Sequence, residues 1–319
     1  MPDAITSIGE ILIDFLPIVE HGATVGFRMH VGGSPYNVAM GVARLGQPVA
    51  FAGKIATDFF GRHMRAHVEA EGVDTRFLIE VDALSTLAFV AYEHGEPAYS
   101  FYGEGAADTL VTPDDLPQAL FDDTRILHFG SISLLRGSTP TAVEYAAKRL
   151  KGRALLSFDP NLRPGLVRDE AGYRALLARL FGLADLVKIS AADLGWLMPG
   201  RPLELAAAAL RAYGPALVVV TRGGDGALAL RAGDEQIYHT PGVPVHVADT
   251  IGAGDSFNGG LLAALYERRA TSRAALEALP NDQLAACLRF ATTVAAITCS
   301  RAGADPPRRA EVDAHMRTL

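Results

Sequence analysis

From residue 126 onward, short apolar and β-branched runs alternate with stretches whose apolar positions recur at helical spacing. The runs "ILHFGSI", "ALLSFD", "LVKIS" and "ALVVVT" are short and nearly continuous in apolar character, as strands covered on both faces are. Between them lie "TPTAVEYAAKRLKG", "AGYRALLARLFGLA" and "LELAAAALRAYG", which read as amphipathic helices. This rhythm predicts βαβ units, hence a Rossmann-like α/β fold with a mostly parallel central sheet and helices on both of its faces. Asp159, Ser190 and Thr221 then fall at the C-terminal ends of their strands, the edge at which open parallel sheets bind ligands.

The first third of the chain has a different pattern. "ILIDFLPIVEHGATVGFRMHVGG" and "STLAFVAYEHGEPAYSFYGEG" read as strand–turn–strand segments with Gly and Pro turns. They predict a small β-sheet lid over the ligand edge, formed by segments of about 12–31 and 86–106. Between them "SPYNVAMGVARLG" predicts a helix that buries Val38, Val42 and Leu45. With no internal repeat or long linker, residues 1–319 are expected to form a single domain in which the lid is interleaved. Later, Val243, Val245 and Val247 alternate with Pro244 and His246, predicting a strand that ends near Ala248. From Phe257 a helix is expected, with Leu261, Ala264 and Leu265 at its spacing.

The charge balance narrows the function classes. A formal net charge of −7 disfavours nucleic acid and membrane surfaces as partners, so any anionic ligand must be met by local positive groups. The only two cysteines, Cys287 and Cys299, lie in apolar helical sequence and predict buried thiols in a reducing compartment. The first residues, "MPDAITSIGEILIDFLP", carry acids where a secretory leader needs basic residues. No apolar stretch reaches the roughly 20 residues needed to cross a bilayer. A cytoplasmic location is expected.

Candidate chemistry concentrates in "VADTIGAGDSFNGG", residues 247–260. Gly252, Ala253 and Gly254 have almost no side chain, so their N–H groups can approach a ligand from a helix N-terminus, and an anion is the natural guest. Asp255 beside such a pocket is electrostatically unfavourable unless it has chemistry to do. A general base that takes the proton from a hydroxyl attacking a phosphoryl group fits that requirement. The alternative is a simple helix cap, worth about 1 kcal/mol.

"DTIGAGDSFNGGL" resembles the C-terminal signature of the ribokinase-like (PfkB) carbohydrate kinases, and "GGSPYNVAMGVARLG", residues 32–46, resembles their N-terminal one. The resemblance implies a ribokinase-like fold with a small β-lid and transfer of the γ-phosphoryl group of ATP, with Mg2+, to a primary hydroxyl of a sugar. It makes Asp255 the catalytic base and places the anion hole at Gly252, Ala253 and Gly254. Asp14, Gly32, Gly33 and Asn37 match sugar-binding positions; a carboxylate and an amide there offer the acceptors and donors that hydroxyls need.

"FDPNLRP" resembles the DxNxR stretch of fructokinases and 2-keto-3-deoxygluconate kinases and makes Arg163 a sugar-binding candidate. "TRGGDG" resembles the family's nucleotide-holding turn, with Thr221, Gly223 and Gly226; Lys188, Ser190 and Gly254 complete the nucleotide set. Where many relatives have Asn-x-x-Glu, this chain has Ser190-Ala-Ala-Asp193, so Asp193 is the candidate for water-mediated metal contact. Thr292 stands near a position where relatives often carry asparagine by the adenine. Some relatives hold a monovalent cation beside the anion hole, which makes Asp249 and Ile251 candidates for K+.

Phe101 and Tyr102 are expected to wall the sugar. Gly103 and Glu104 follow them instead of added positive charge, which favours a neutral sugar, fructose first. 2-Keto-3-deoxygluconate, then ribose or a nucleoside, are the alternatives; a sensor that binds sugar or nucleotide without catalysis is the alternative of another class. The lid is also a candidate surface for a homodimer.

Overall fold

The computed structural model describes residues 3–93, 96–234 and 236–318. Its strands in chain order are β1 (Ala4–Ile8), β2 (Leu12–Glu20), β3 (Ala23–Gly32), β4 (Val49–Ala56), β5 (Asp74–Val81), β6 (Leu87–Glu93), β7 (Glu96–Tyr102), β8 (Thr124–Gly130), β9 (Leu155–Asp159), β10 (Leu186–Ser190), β11 (Leu217–Thr221), β12 (Ala227–Arg231) and β13 (Ile237–Thr240). Nine of them form one sheet in the order β13-β12-β11-β10-β9-β8-β1-β4-β5. It is parallel from β11 through β5, and only β12 and β13 pair antiparallel. The expected βαβ rhythm is present, and β9, β10 and β11 end at Asp159, Ser190 and Thr221.

The two-residue side-chain period sorts the strands' side chains onto two helical layers. Leu217 and Val219 join the core beneath helices Ser34–Arg44, Ala253–Glu267 and Asn281–Cys299. Val218 and Val220 join the opposite core, beneath helices Thr139–Leu150, Glu170–Leu183 and Leu203–Arg211. On β10, Leu186 belongs to the first core, so Lys188 projects to that same side, toward the N-terminal end of helix 253–267. Val38, Val42 and Leu45 are buried on helix 34–44, as their spacing predicts.

The direction of winding reverses at β1: the chain proceeds through β4 to β5 on one side, and β8 to β11 extend on the other. The C-terminal ends of β1 and β8 therefore flank a topological switch point, where open α/β sheets form a crevice. Gly9 and Glu10 follow β1 there, and a short 3-10 turn, Ser131–Leu134, follows β8.

The two early segments form a separate four-stranded sheet, β3-β2-β6-β7. It is antiparallel except for the β2–β6 pair. It spans Leu12–Gly32 and Leu87–Tyr102, with residues 94–95 outside the described residues, and residues 103–106 of the expected lid lie beyond its strands.

One expected strand is absent. Residues 241–248 make no ladder, because Pro241 and Pro244 lack N–H donors and the chain leaves the sheet after β13. Ala248 and Asp249 instead donate their N–H groups to the carbonyl of Cys299, at 2.8 and 3.2 Å. Among the described residues no helix is long and apolar enough to cross a membrane.

Candidate active site

Helix 253–267 begins at Gly252, whose φ of +74° is left-handed, and an added β-carbon there would lie 2.5 Å from that of Ala304. The first intrahelical bond runs from Ser256 N–H to the Gly252 carbonyl at 2.8 Å, so the N–H groups of Gly254 and Asp255 have no acceptor within the helix. A positive side chain supports them from below. Lys188 is buried, donates to Asp159 Oδ2 at 2.9 Å and lies against Gly254. Asn258 donates to the same Asp159 oxygen at 2.7 Å, and Asn161 N–H donates to the other at 3.0 Å.

Asp255 is buried, and both of its oxygens are held from helix 34–44. Ser34 Oγ donates to Oδ1 at 2.7 Å and Asn37 Nδ2 to Oδ2 at 2.9 Å. Burial raises its pKa above the usual carboxylate range, opposed by these two hydrogen bonds and by Lys188. Asn37 Oδ1 is buried without a hydrogen-bond partner, a vacancy suited to a hydroxyl donor.

A cavity of about 60 Å³ opens beside Asp255, lined among others by Asp14, Gly33, Asn37, Phe101 and Arg163. Gly33 has φ +105°, and a β-carbon there would meet the carbonyl of Glu10 at 2.7 Å. Gly32 is covered by the Asp14 carboxylate. Burial, reinforced by the negative charge of Asp255, pushes the Asp14 pKa up to about 7, with Arg163 pulling the other way. Arg163 Nη1 donates to Asn161 Oδ1 at 2.8 Å and to the Leu162 carbonyl at 2.9 Å, which shapes the DxNxR loop.

Phe101 lines this cavity and Tyr102 does not. Tyr102 is 64% exposed and packs edge-on against Phe89. Tyr102 and Phe101 both line a larger cavity of about 630 Å³, to which Arg136 and Arg168 also contribute.

A family profile described as "pfkB family carbohydrate kinase" matches residues 3–310. The chain belongs to the pfkB family of carbohydrate kinases. It is a phosphotransferase acting on a sugar hydroxyl. It is 38% identical over 258 residues to the fructokinase of Rhizobium leguminosarum bv. trifolii, covering 81% of this chain and 78% of that protein. The fructokinase of Xylella fastidiosa with bound ATP superposes with a TM-score of 0.90 at 30% identity, covering 100% of this chain and 99% of that one. The fructokinase of Vibrio cholerae O395, in its fructose, ADP and calcium ion bound form, does so at 0.85 and 29%, covering 98% of each chain.

Other expected residues of this pfkB kinase are distributed along the same edge. Thr221 ends β11, and Gly223 is exposed in the turn that follows. Gly226 instead faces neighbouring backbone: a β-carbon there would lie 2.1 Å from the Thr240 carbonyl, so this glycine accommodates β13. Ser190 caps helix Ala191–Leu197 by accepting from Asp193 N–H at 3.0 Å. The Asp193 pKa is raised by burial and by the charge of Asp159. Asp249 accepts from Ile251 N–H at 3.1 Å and Gly303 N–H at 2.8 Å, tying the glycine turn to the C-terminal segment. Thr292 is buried and its hydroxyl donates to the Leu288 carbonyl.

Sequence reasoning missed several residues of this edge. Asn258 holds the Asp159 carboxylate that pairs with Lys188, and although the sequence places Asp159 at this edge, neither pairing is apparent from spacing. Ser131 (φ +61°) and Asn161 (φ +38°) hold left-handed conformations that are unusual for residues with side chains, one after β8 and the other after β9. Glu10 is 1% exposed and lines the cavity beside Asp255. Its position directly after a buried strand, at the sheet's ligand edge, was the available signal.

Proposed function

We propose that this carbohydrate kinase phosphorylates fructose at its terminal hydroxyl, with ATP as donor, to give fructose 6-phosphate. The observation that carries the reading is the position of Asp255: an ionisable carboxylate, held through both oxygens, between the polar groups Asp14, Asn37 and Arg163 and an N-terminal helix turn backed by Lys188. Asp14, Asn37 and Arg163 would hold the sugar, with Phe101 beneath it. The acceptor hydroxyl gives its proton to Asp255 as its oxygen forms the new bond to the γ-phosphorus. The bond from that phosphorus to the bridging oxygen breaks, and ADP leaves. The N–H groups of Gly254 and Asp255 and the ammonium of Lys188 meet the charge on the phosphoryl oxygens. A base with a raised pKa takes up that proton more favourably than an ordinary carboxylate.

Mg2+ fits beside Asp193, whose carboxylate faces the like charge of Asp159; the ion would shield phosphate charge, with Asp193 contacting it through water. K+ would be held by the main-chain carbonyls of Asp249 and Ile251. The small sheet would close over the sugar as a lid. Its exposed Val19, Val25 and Phe27 supply an apolar surface for a second copy of the chain. Free Cys287 and Cys299 suit a cytoplasmic enzyme.

The test is a coupled ADP-release assay with MgATP against fructose, 2-keto-3-deoxygluconate, ribose and adenosine. Fructose should give the highest kcat/KM. A clear preference for 2-keto-3-deoxygluconate would transfer the assignment to the sugar acid, with Arg163 on its carboxylate.

A further inference from the structure

We propose that Glu10 is a positioning residue for phosphoryl transfer: its carboxylate fixes Ser34, and through Ser34 the orientation of Asp255. The proposal rests on the assignment of Asp255 as the base.

Glu10 connects the two sides of the switch-point crevice. Its Oε2 accepts from Ser133 N–H at 3.1 Å and from the Ser133 hydroxyl, and its own N–H donates to Ser133 Oγ at 2.9 Å. Oε1 reaches the other way and accepts from Ser34 N–H at 3.2 Å. Helix 34–44 has no side-chain cap of its own and no acid in its first turn. Glu10 supplies, from the end of β1, the acceptor that the helix sequence lacks. The residue it holds is the one whose hydroxyl donates to Asp255 Oδ1 at 2.7 Å. The contacts thus run in sequence: Glu10 is anchored on Ser133 and holds the main chain of Ser34, whose hydroxyl in turn holds Asp255.

Backbone geometry makes the contact possible. A β-carbon on Gly9 would lie 2.3 Å from Ser133 Oγ, and one on Gly33 would lie 2.7 Å from the Glu10 carbonyl. Two glycines therefore clear the space in which the carboxylate spans from Ser133 to Ser34. A glutamate buried in this way is not needed for the parallel sheet, whose strands are already paired; what it joins is the turn at Ser133 and the first residue of helix 34–44.

The test is a double-mutant cycle with Glu10→Gln, Ser34→Ala and the combined variant, measured as kcat and as KM for ATP and fructose, with thermal denaturation to verify folding. Glu10→Gln should lower kcat about tenfold to a hundredfold, as expected for a misplaced reacting group. Both KM values should stay within about twofold of the parent. The combined variant should be no slower than Ser34→Ala alone, because the two residues act through one contact. Multiplicative losses in the combined variant, or a raised fructose KM with kcat retained, would overturn the proposal. If Glu10→Gln does not fold, Glu10→Asp, one methylene short of Ser34, should lower kcat with unchanged KM, and a full kcat there would equally overturn it. Asp255→Asn separates the two ideas: retained turnover in that variant removes the base itself, whereas an inactive Asp255→Asn alongside a fully active Glu10→Gln removes only the role of Glu10.

Discussion

The ammonium of Lys188 stands 2.9 Å from the point where a β-carbon on Gly254 would lie. The same nitrogen donates to Asp159 at 2.9 Å, so it cannot retreat without breaking a buried ion pair. Gly254→Ala should therefore displace the ammonium and obstruct the N–H groups of the turn. A kcat loss of about 10²–10³ is expected, the size seen when one donor to a developing anion is removed. Steady-state kinetics check it; an undiminished kcat would place the transferring group elsewhere.

Asp255→Asn keeps the shape of the side chain and removes its basicity. Calorimetric titration should find fructose and ATP bound nearly as in the parent protein. Turnover should fall by about 10²–10⁴, the contribution of a positioned general base. Retained turnover would exclude this carboxylate from the proton transfer.

Asp14 gives a pH signature. Its pKa is pushed up to about 7 by burial and by Asp255, and the ionised form is the one that accepts two hydroxyl hydrogen bonds. The kcat/KM for fructose should therefore rise with pH through about 7, and Asp14→Asn should remove that ionisation from the profile. Stability has the opposite sign. Between the ordinary value of 3.8 and about 7, the folded state binds the Asp14 proton more tightly than the unfolded state, so this group's contribution falls as pH rises through the window. Thermal midpoints of Asp14→Asn should depend less steeply on pH there than those of the parent.

Arg163 joins the DxNxR loop to the acceptor cavity. Arg163→Ala should raise the fructose KM by about tenfold to a hundredfold, the equivalent of one charge-assisted hydrogen bond. The ATP KM should change little. An unchanged fructose KM would confine the guanidinium to shaping its own loop.

Removing the partner of Lys188 tests the buried pair by stability rather than rate. Asp159→Ala leaves an ammonium of 5% exposure without its ion-pair partner. A loss of about 3–5 kcal/mol in denaturant titration is expected. A loss within experimental error would mean that water or another side chain replaces the carboxylate.

Much of this fold was legible because periodicity reports burial directly. The runs ending at Asp159, Ser190 and Thr221 became strands that end at those residues, and the helix with Val38, Val42 and Leu45 spans Ser34–Arg44. The same method failed at Val243–Val247, where an alternating pattern lacks a neighbouring strand and prolines withhold donors. Glu10, Asn258 and the pairing of Asp159 with Lys188 stayed hidden for another reason. Their roles depend on pairings such as Asn258 with Asp159, 99 residues apart, which no local pattern encodes.

The partners of Asp255 come from the opening stretch of the chain, and the segment that steadies its glycine turn includes Gly303. A ribosome must accordingly deliver almost the whole polypeptide before the first competent site exists, and shortened products would be inert however well their sheets assembled. Two fragments divided in a surface loop would regain turnover only by meeting each other, at a rate set by their concentrations.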